Sequence, residues 1–487
     1  MTDIARLAHG VLFPGVGRTR LPRWAAPRIA AGLGGFVIYG RDIVSAAQVR
    51  ELTAAMRAEN PRLHLATDEE GGDVSRLENA GGISVPGNYA LGAIDDEEST
   101  RRIAREIGLS LRQAGIDWDL APAVDVAVNP FSPNGIRTFG ADRAQVSRHA
   151  AAWIEGLQST GVSACAKHFP GHGLSGTDAH LGTPQVDLSR EDLIEHYLDP
   201  FRAAIDAEVD SIMVSHVRLS RIDQLPASIS RPVMTGLLRE ELGFDGVIIT
   251  DALEMRGVRD HAGIGDAAVL ALAAGADALC LGSWSFGEDV DRVVAAITAA
   301  VDEGRLDAQR LEEANDRLAR MGSRPAADAE PDPTLGERLA REVISVGGDA
   351  AVTTQNVLVV RLDPVASPAA GRAEGDVERF LTEGGLTVET IRLSADTYAG
   401  EQMLSGAVSE FAEEYGDDGT LVLLLRSPHR FDWQEPVIAQ LRADHPEAIV
   451  LDMGVQHDDH SDFRAWVRTY GSSRACALAA ADALLGR

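Results

Sequence analysis

Val162-Ser163-Ala164-Cys165-Ala166-Lys167-His168-Phe169-Pro170-Gly171-His172-Gly173-Leu174-Ser175-Gly176-Thr177-Asp178-Ala179-His180 is the stretch on which the reading of this chain turns. Its first five residues form a short apolar run, which reads as a buried strand. The fourteen that follow hold three of the chain's 13 histidines, an aspartate, a lysine and three glycines. Chemistry therefore starts where a strand is expected to end, which is where barrel enzymes keep their reactive groups. Gly171, Gly173 and Gly176 permit tight turns and positive φ, so the segment reads as a binding or catalytic loop.

Working outward, seven more runs share the length and apolar character of Val162–Ala166. They are His9–Phe13, Gly35–Tyr39, Leu63–Thr67, Asp117–Ala121, Ser211–Ser215, Val247–Thr250 and Ala278–Leu281. Helical spacing fills the gaps, over Ala46–Glu59, Glu97–Ala114, Ala144–Gln158, Leu193–Ala207 and Ala268–Ala274. Strands alternating with helices give an α/β fold, and a count of eight favours a closed (β/α)8 TIM-like barrel over residues 1–321. A doubly wound open sheet is the alternative.

After Arg320 the texture changes. Met321–Thr334, MGSRPAADAEPDPT, has three prolines and acidic residues and reads as a linker, placed at 322–335. Residues 336–487 show β-like runs at Asn356–Leu362, Leu386–Ile391, Leu421–Leu425 and Ala448–Met453, with helical spacing at Val377–Glu383 and Val437–Ala443. This predicts a smaller α/β layer domain with a parallel sheet. No short internal repeat is evident.

Two domains suit 487 residues. A net charge of −29 argues against duplex DNA or RNA as a partner and against an anionic membrane surface. Cys165, Cys280 and Cys476 are far apart in sequence and build no disulfide framework, which fits a reducing compartment. The first residues, MTDIARLAHGVLFPG, lack the pattern of a signal peptide, and no apolar run has transmembrane length. The expected location is the cytoplasm.

Polar clusters follow four strand ends: Asp68-Glu69-Glu70-Gly71-Gly72-Asp73-Val74-Ser75-Arg76 after the third, Arg137-Thr138-Phe139-Gly140 in the long loop after the fourth, the opening stretch after the fifth, and Asp251 after the seventh. A carboxylate at a core boundary needs partners or a task. Asp251 reads either as a helix N-cap or as a functional group, and the other clusters on the same face favour function.

Lys167–Gly173 (KHFPGHG), the Asp178-Ala179-His180 triplet and Gly246–Met255 (GVIITDALEM), with DEEGG and RTFG in the expected order, resemble the β-N-acetylglucosaminidase branch of glycoside hydrolase family 3. The similarity spans the first domain; the second resembles the αβα sandwich that many members carry. The resemblance implies retaining cleavage of terminal β-N-acetylglucosamine from saccharides such as cell-wall muropeptide fragments or chitin oligosaccharides. It implies Asp251 as nucleophile and His180, oriented by Asp178, as general acid/base. An imidazole can fill that role because its ordinary pKa of roughly 6.5 lies near working pH. Asp68, Arg76, Arg137, Lys167 and His168 are implied sugar-binding groups, and His216, at the end of MVSH, is expected to line the pocket. For each basic residue the plainer reading is a salt bridge to a nearby acid.

The stretch Asp68–Arg76 departs from the family's usual pattern. Gln is usual at Glu69, Arg at Asp73 and Gln at Ser75, and Ser is usual at Ala179. The segment Val128–Gly135, VNPFSPNG, takes no role from the resemblance.

Other readings remain beside this one. An imidazole acid/base, unlike a carboxylate, does not repel phosphate, so inorganic phosphate as acceptor would make the enzyme a phosphorylase. A metal-dependent hydrolase would use His168, His172, Asp178 and His180, but their spacing matches no standard zinc pattern and H-E-x-x-H is absent. A catalytically dead sugar-binding protein would need a missing nucleophile or acid/base. No metal or cofactor is expected: no glycine-rich phosphate loop follows a first strand. The run His457-Asp458-Asp459-His460 is expected as an exposed turn.

Overall fold

A computed structural model of the chain describes residues 3–78, 81–175, 182–322, 324–326, 330–363, 376–395 and 401–487. Eight short strands form the ring of the first unit, β1 (Leu12–Pro14), β2 (Gly35–Val37), β3 (His64–Thr67), β4 (Trp118–Asp119), β5 (Cys165–Phe169), β6 (Ser211–Val214), β7 (Val247–Thr250) and β8 (Leu279–Gly282), and a separate short pair joins Gln185–Val186 to Arg218–Leu219. Each ring strand pairs in parallel with its sequence neighbour, and β8 pairs with β1. Parallel bridges close the remaining joints, Gly15 with Val37, Trp118 with Ser163 and Ile249 with Ala278. The ring is a barrel, not the open doubly wound sheet.

The helices between strands start where side chains can satisfy free N–H groups. Ser45, Asp96 and Asp142 accept from the backbone N–H three residues on, at the starts of Ala46–Glu59, Glu97–Gln113 and Arg143–Gln158. Leu193–Ala207, read as one helix, is two: Arg190–His196 and Asp199–Asp206. Pro200 forces the break, since within one helix its ring would clash and it has no N–H to give, whereas near a helix start neither matters.

Two strand boundaries also move. His9 and Gly10 close a helix, Ile4–Gly10, capped by Asp3, so β1 begins at Leu12. The fifth strand does not end at Ala166 but runs through Lys167 and His168 to Phe169. Its pairing with β6 loses register between Ala166 and Phe169.

Apolar side chains from Ala8 to Met321 form one core, joined by Leu335 and Leu339. Trp118 is fully buried within it, edge-on to Phe13 with centroids 5.2 Å apart, and its Nε1–H donates to Ser211 Oγ at 2.8 Å. At the strands' N-terminal ends, buried Asp277 accepts from Arg239, Arg310 and Arg317. This charge cluster lies at the barrel end that serves stability, away from the polar loops.

The second unit has a six-stranded sheet: β9 (Ser345–Gly348), β10 (Asn356–Leu362), β11 (Thr387–Leu393), β12 (Gly419–Leu425), β13 (Ile449–Asp452) and β14 (Ala465–Arg468), in the order β9-β14-β13-β12-β10-β11. The sheet is not wholly parallel, because the edge strand β9 runs antiparallel to β14. Alternation sets the layers. Val357 and Val359 join Leu381 and Ala480 on one face, while Leu358 and Val360 join Val408 and Val437 on the other. The result is an αβα sandwich.

Helix Leu335–Val343 forms a seam between the units. Leu335 and Leu339 pack into the barrel core, and Ala340 packs with Ala475, Cys476 and Ala479. A Cβ at Gly336 would lie 2.0 Å from the Ser84 carbonyl oxygen, so only glycine allows this approach. The strongest tie is Asp73, which accepts from Arg426, from Ser472 N–H at 3.0 Å and from Ser472 Oγ at 2.9 Å. Its departure from the family's usual Arg thus has a partner: the sandwich supplies the cation, and Asp73 answers it. Replacing Asp73 with Ala removes its carboxylate from Arg426 and both of its bonds to Ser472, and is expected to weaken this joint by about 3 kcal/mol. Thermal unfolding should then lower or split the main transition, and an unchanged melting curve would contradict the assignment.

Candidate active site

The C-terminal ends of the barrel strands surround a cavity of about 600 Å³. Asp68 and Glu70 follow β3, Arg137 comes from the long loop after β4, Lys167 and His168 lie within β5, and Asp251 follows β7; all six line it, with Arg76. Successive strand residues normally point to opposite faces. Lys167 and His168 both reach the cavity because the β5 pairing breaks register at this point, the kind of irregularity that re-aims side chains.

Lys167 is 1 % exposed and Glu70 is 2 % exposed. Two such charges survive burial only as partners. Lys167 Nζ donates to Glu70 Oε1 at 2.6 Å and to Asp68 Oδ1 at 2.7 Å. Arg137 grips the same Glu70 carboxylate with two parallel bonds, Nε to Oε2 at 2.9 Å and Nη2 to Oε1 at 2.7 Å. Arg76 Nη2 stands 3.7 Å from Asp68 Oδ2. Burial by itself raises the Glu70 carboxyl, but Arg137 and Lys167 outweigh it and hold the group far below the usual carboxylate range. The same acids push Lys167 above its ordinary value against the effect of burial. The salt-bridge reading and the cavity-lining reading of these basic residues therefore hold together.

Asp251 caps no helix, since the next one, Arg256–Arg259, starts after Met255. Its Oδ1 accepts from the Ala252 N–H at 2.7 Å, and its own N–H donates to the Val214 carbonyl at 2.9 Å. His216 is not among the described residues that line the cavity. It is fully buried, with Nδ1 2.7 Å from Ser228 Oγ and Nε2 2.9 Å from the Ala252 carbonyl. A carbonyl only accepts, so Nε2 carries the proton. His216 thus steadies the residue beside Asp251 from behind.

A second polar group adjoins the first. Asp125 is fully buried; its Oδ2 lies 2.7 Å from His168 Nδ1 and accepts from Asn134 Nδ2 at 2.7 Å. Its Oδ1 accepts from the His172 N–H at 2.5 Å. Asn134 Oδ1 in turn accepts from Arg137 Nη1 at 3.0 Å. Asn134 belongs to the VNPFSPNG segment, which therefore holds both Asp125 and Arg137 in place. Asp178 and His180 lie outside the described residues.

Sequence reasoning passed over three participants. Glu70 was visible in DEEGG but read only as a neighbour of Asp68. Asp125 carried a signal, a lone charge in the apolar run Leu120–Val126, 0 % exposed in the fold. Glu254, on the cavity wall, accepts from the Ser283 and Trp284 N–H groups at 2.6 and 2.8 Å and fixes the loop after β8; nothing local announced it.

Burial raises the Asp125 carboxyl, but His168 and His172 overcome it and hold the group at about 2. Its folded value lies below its unfolded one, so it contributes stability that is present above about pH 4 and is lost as pH falls through 2. Asp125→Asn is expected to cost on the order of 2 kcal/mol at pH 6. Denaturant titrations at pH 6, 4 and 2.5 should show this gap closing toward acid; a gap independent of pH would count against the charge pairing.

Residues 28–321 match the family model described as the glycosyl hydrolase family 3 N terminal domain. A beta-hexosaminidase of Pseudomonas aeruginosa is 39% identical over 252 residues, covering 50% of this chain and 74% of the relative. A beta-N-acetylglucosaminidase/beta-glucosidase of Cellulomonas fimi is 28% identical over 483 residues, covering 89% of this chain and 83% of the relative. The solved structure of a glycoside hydrolase family 3 beta-N-acetylglucosaminidase from Paenibacillus sp. str. FPU-7 superposes with a TM-score of 0.88 at 29% identity, over 100% of this chain and 97% of that one. Barrel, sandwich, cavity and family match agree, and the chain belongs to glycosyl hydrolase family 3 and is a glycoside hydrolase.

Proposed function

We propose that this enzyme is a retaining exo-β-N-acetylglucosaminidase acting on terminal β-N-acetylglucosamine of cell-wall or chitin-type saccharides. The observation that carries this reading is the arrangement of one cavity, with Asp251 on its wall beside the Asp68–Lys167–Glu70–Arg137 network. On the cavity wall Asp68, Glu70, Asp251 and Glu254 stand against Arg76, Arg137, Lys167, Arg256 and Arg259, a nearly even mix of signs that suits a polar, uncharged sugar ring. Asp68, Arg76, Arg137, Lys167 and His168 offer charge-assisted bonds to ring hydroxyls and the acetamido group. The Paenibacillus relative is named a beta-N-acetylglucosaminidase, the C. fimi relative a beta-N-acetylglucosaminidase/beta-glucosidase and the P. aeruginosa relative a beta-hexosaminidase, which supports an amino sugar of this kind.

In the first step the Asp251 carboxylate forms a bond to the anomeric carbon as the glycosidic C–O bond breaks. His180, steadied by Asp178, gives its proton to the departing oxygen. In the second step water attacks the same carbon, His180 takes the water's proton, and Asp251 leaves as a carboxylate. Two displacements at one carbon retain its configuration. His216 acts through Ala252 as a positioning residue.

We assign residues 1–321 to the catalytic barrel, 322–335 to a linker and 336–487 to the sandwich. No helix among the described residues is long and apolar enough to cross a membrane. All three cysteines are buried thiols, which supports the cytoplasm as the working compartment.

An aryl β-N-acetylglucosaminide tests the reading with phosphate absent and present. β-N-acetylglucosamine is expected as the first product in both, and Asp251→Ala should lower turnover at least about 10⁴-fold with the fold kept. Residual activity within tenfold of wild type, or an α product, would overturn the mechanism. N-acetylglucosamine 1-phosphate as main product would replace water by phosphate as the acceptor.

A further inference from the structure

While Asn134 serves the cavity, Pro130 and Phe131 of the VNPFSPNG segment meet the sandwich. There Phe131 sits 5.9 Å from the His429 ring and 6.5 Å from the His457 ring, centroid to centroid. His429 Nε2 lies 3.0 Å from the Pro130 carbonyl oxygen. A carbonyl only accepts, so Nε2 carries a proton, and in the neutral ring Nδ1 presents its lone pair. The His429 side chain is 4 % exposed, and among the described residues its Nδ1 has no hydrogen-bond partner. What faces it 3.6 Å away is Asp458 Oδ2, buried and without a hydrogen-bond partner among the described residues: an ion pair if the ring is doubly protonated, a second acceptor if it is neutral.

His457 completes the group. Its Nδ1 is 3.1 Å from Asp458 Oδ1, and its ring stacks on His429 with centroids 4.2 Å apart. One donor atom from each of His429, His457 and Asp458 falls within 4.8 Å of the other two. Ligands of a tetrahedral zinc ion lie roughly 3.4 Å from one another, given bonds of about 2.1 Å. His457 is 41 % exposed, with room to turn out of the stack so that its ring plane meets the ion.

We propose that His429 Nδ1, His457 and Asp458 form a structural site for a divalent transition metal of the zinc class within the sandwich, fixing the His429 ring that bonds the loop carrying Arg137. Two imidazoles and a carboxylate suit zinc, nickel or copper better than calcium or magnesium. A metal-bound histidine usually donates its other N–H to a carbonyl or carboxylate, which is what His429 does to Pro130. A cation there would separate two facing acceptors that otherwise repel. The surroundings favour positive charge: the adjoining cavity of about 280 Å³ is lined by Asp458, Asp459, Asp462 and Glu435, against Arg442. The three ligands are not among the residues that line the sugar cavity, so the ion has no part in the chemical steps.

A doubly protonated His429 paired with Asp458 is the competing account, and it predicts no metal. The full chain, stripped with chelator and exchanged into buffer, is titrated with zinc chloride by calorimetry and with cobalt chloride by visible absorption. Wild type should bind one equivalent that His457→Ala loses or holds at least tenfold more weakly, and zinc should raise the melting temperature of wild type only. His457 is exposed, so that variant keeps the fold; His429→Gln serves as a second variant. Asp251→Ala should bind like wild type, which separates this site from the hydrolytic reading. Absence of a stoichiometric equivalent in wild type, or its retention unchanged in His457→Ala, would overturn the proposal.

Discussion

Glu70 stands between two cations that come from different parts of the chain. Lys167 reaches it from inside β5, and Arg137 reaches it from the long loop after β4. None of the three is tolerable alone at this depth, because a buried charge without a partner costs several kcal/mol. Together they set the geometry of the cavity floor. Their mutual bonds let β5 run on through Lys167 and His168, where an apolar strand would have stopped, and they tie a loop with little regular structure to the barrel wall. Asp68, two residues before Glu70 at the end of β3, then shares Lys167 and joins the same network.

The same logic extends across the seam. The loops after β3 and β4 are the ones that hold Asp68, Glu70 and Arg137, and both touch the sandwich. Asp73 takes Arg426 and Ser472, and Pro130 takes His429. The second unit thus braces two of the loops that carry cavity residues. Tyr89 and Tyr470 add a ring contact at 5.9 Å, and Tyr89 Oη accepts from the Gln456 N–H. The most acidic departure from the family pattern, Asp73, falls at this brace and not in the cavity.

All eight barrel strands were legible in the sequence because each is a short apolar run between amphipathic segments. The boundaries that moved did so for local reasons: a cap at Asp3, a proline at 200, and ion pairs that bury Lys167 within a strand. In the sandwich two strands went unseen: the edge strand Ser345–Gly348, which alternates half-buried and exposed residues and includes two glycines, and Ala465–Arg468, only four residues long and ending on an arginine. Six expected cavity residues share one cavity, because polar clusters after barrel strands converge by topology. His216 has the right address but points into the wall, a choice made by Ser228 and the Ala252 carbonyl, which no local pattern reveals. Asp73 with Arg426 was illegible for a simpler reason: the partners are 353 residues apart.

Asp251 as the group that takes the sugar is tested most directly by trapping. The enzyme is incubated with a 5-fluoro β-N-acetylglucosaminyl fluoride, which slows the second displacement, and is then digested and mapped by mass spectrometry. One covalent sugar per chain is expected, on the peptide that contains Gly246–Met255 and localised to Asp251. A sugar carried by any other residue, or inactivation without an adduct, would contradict the assignment.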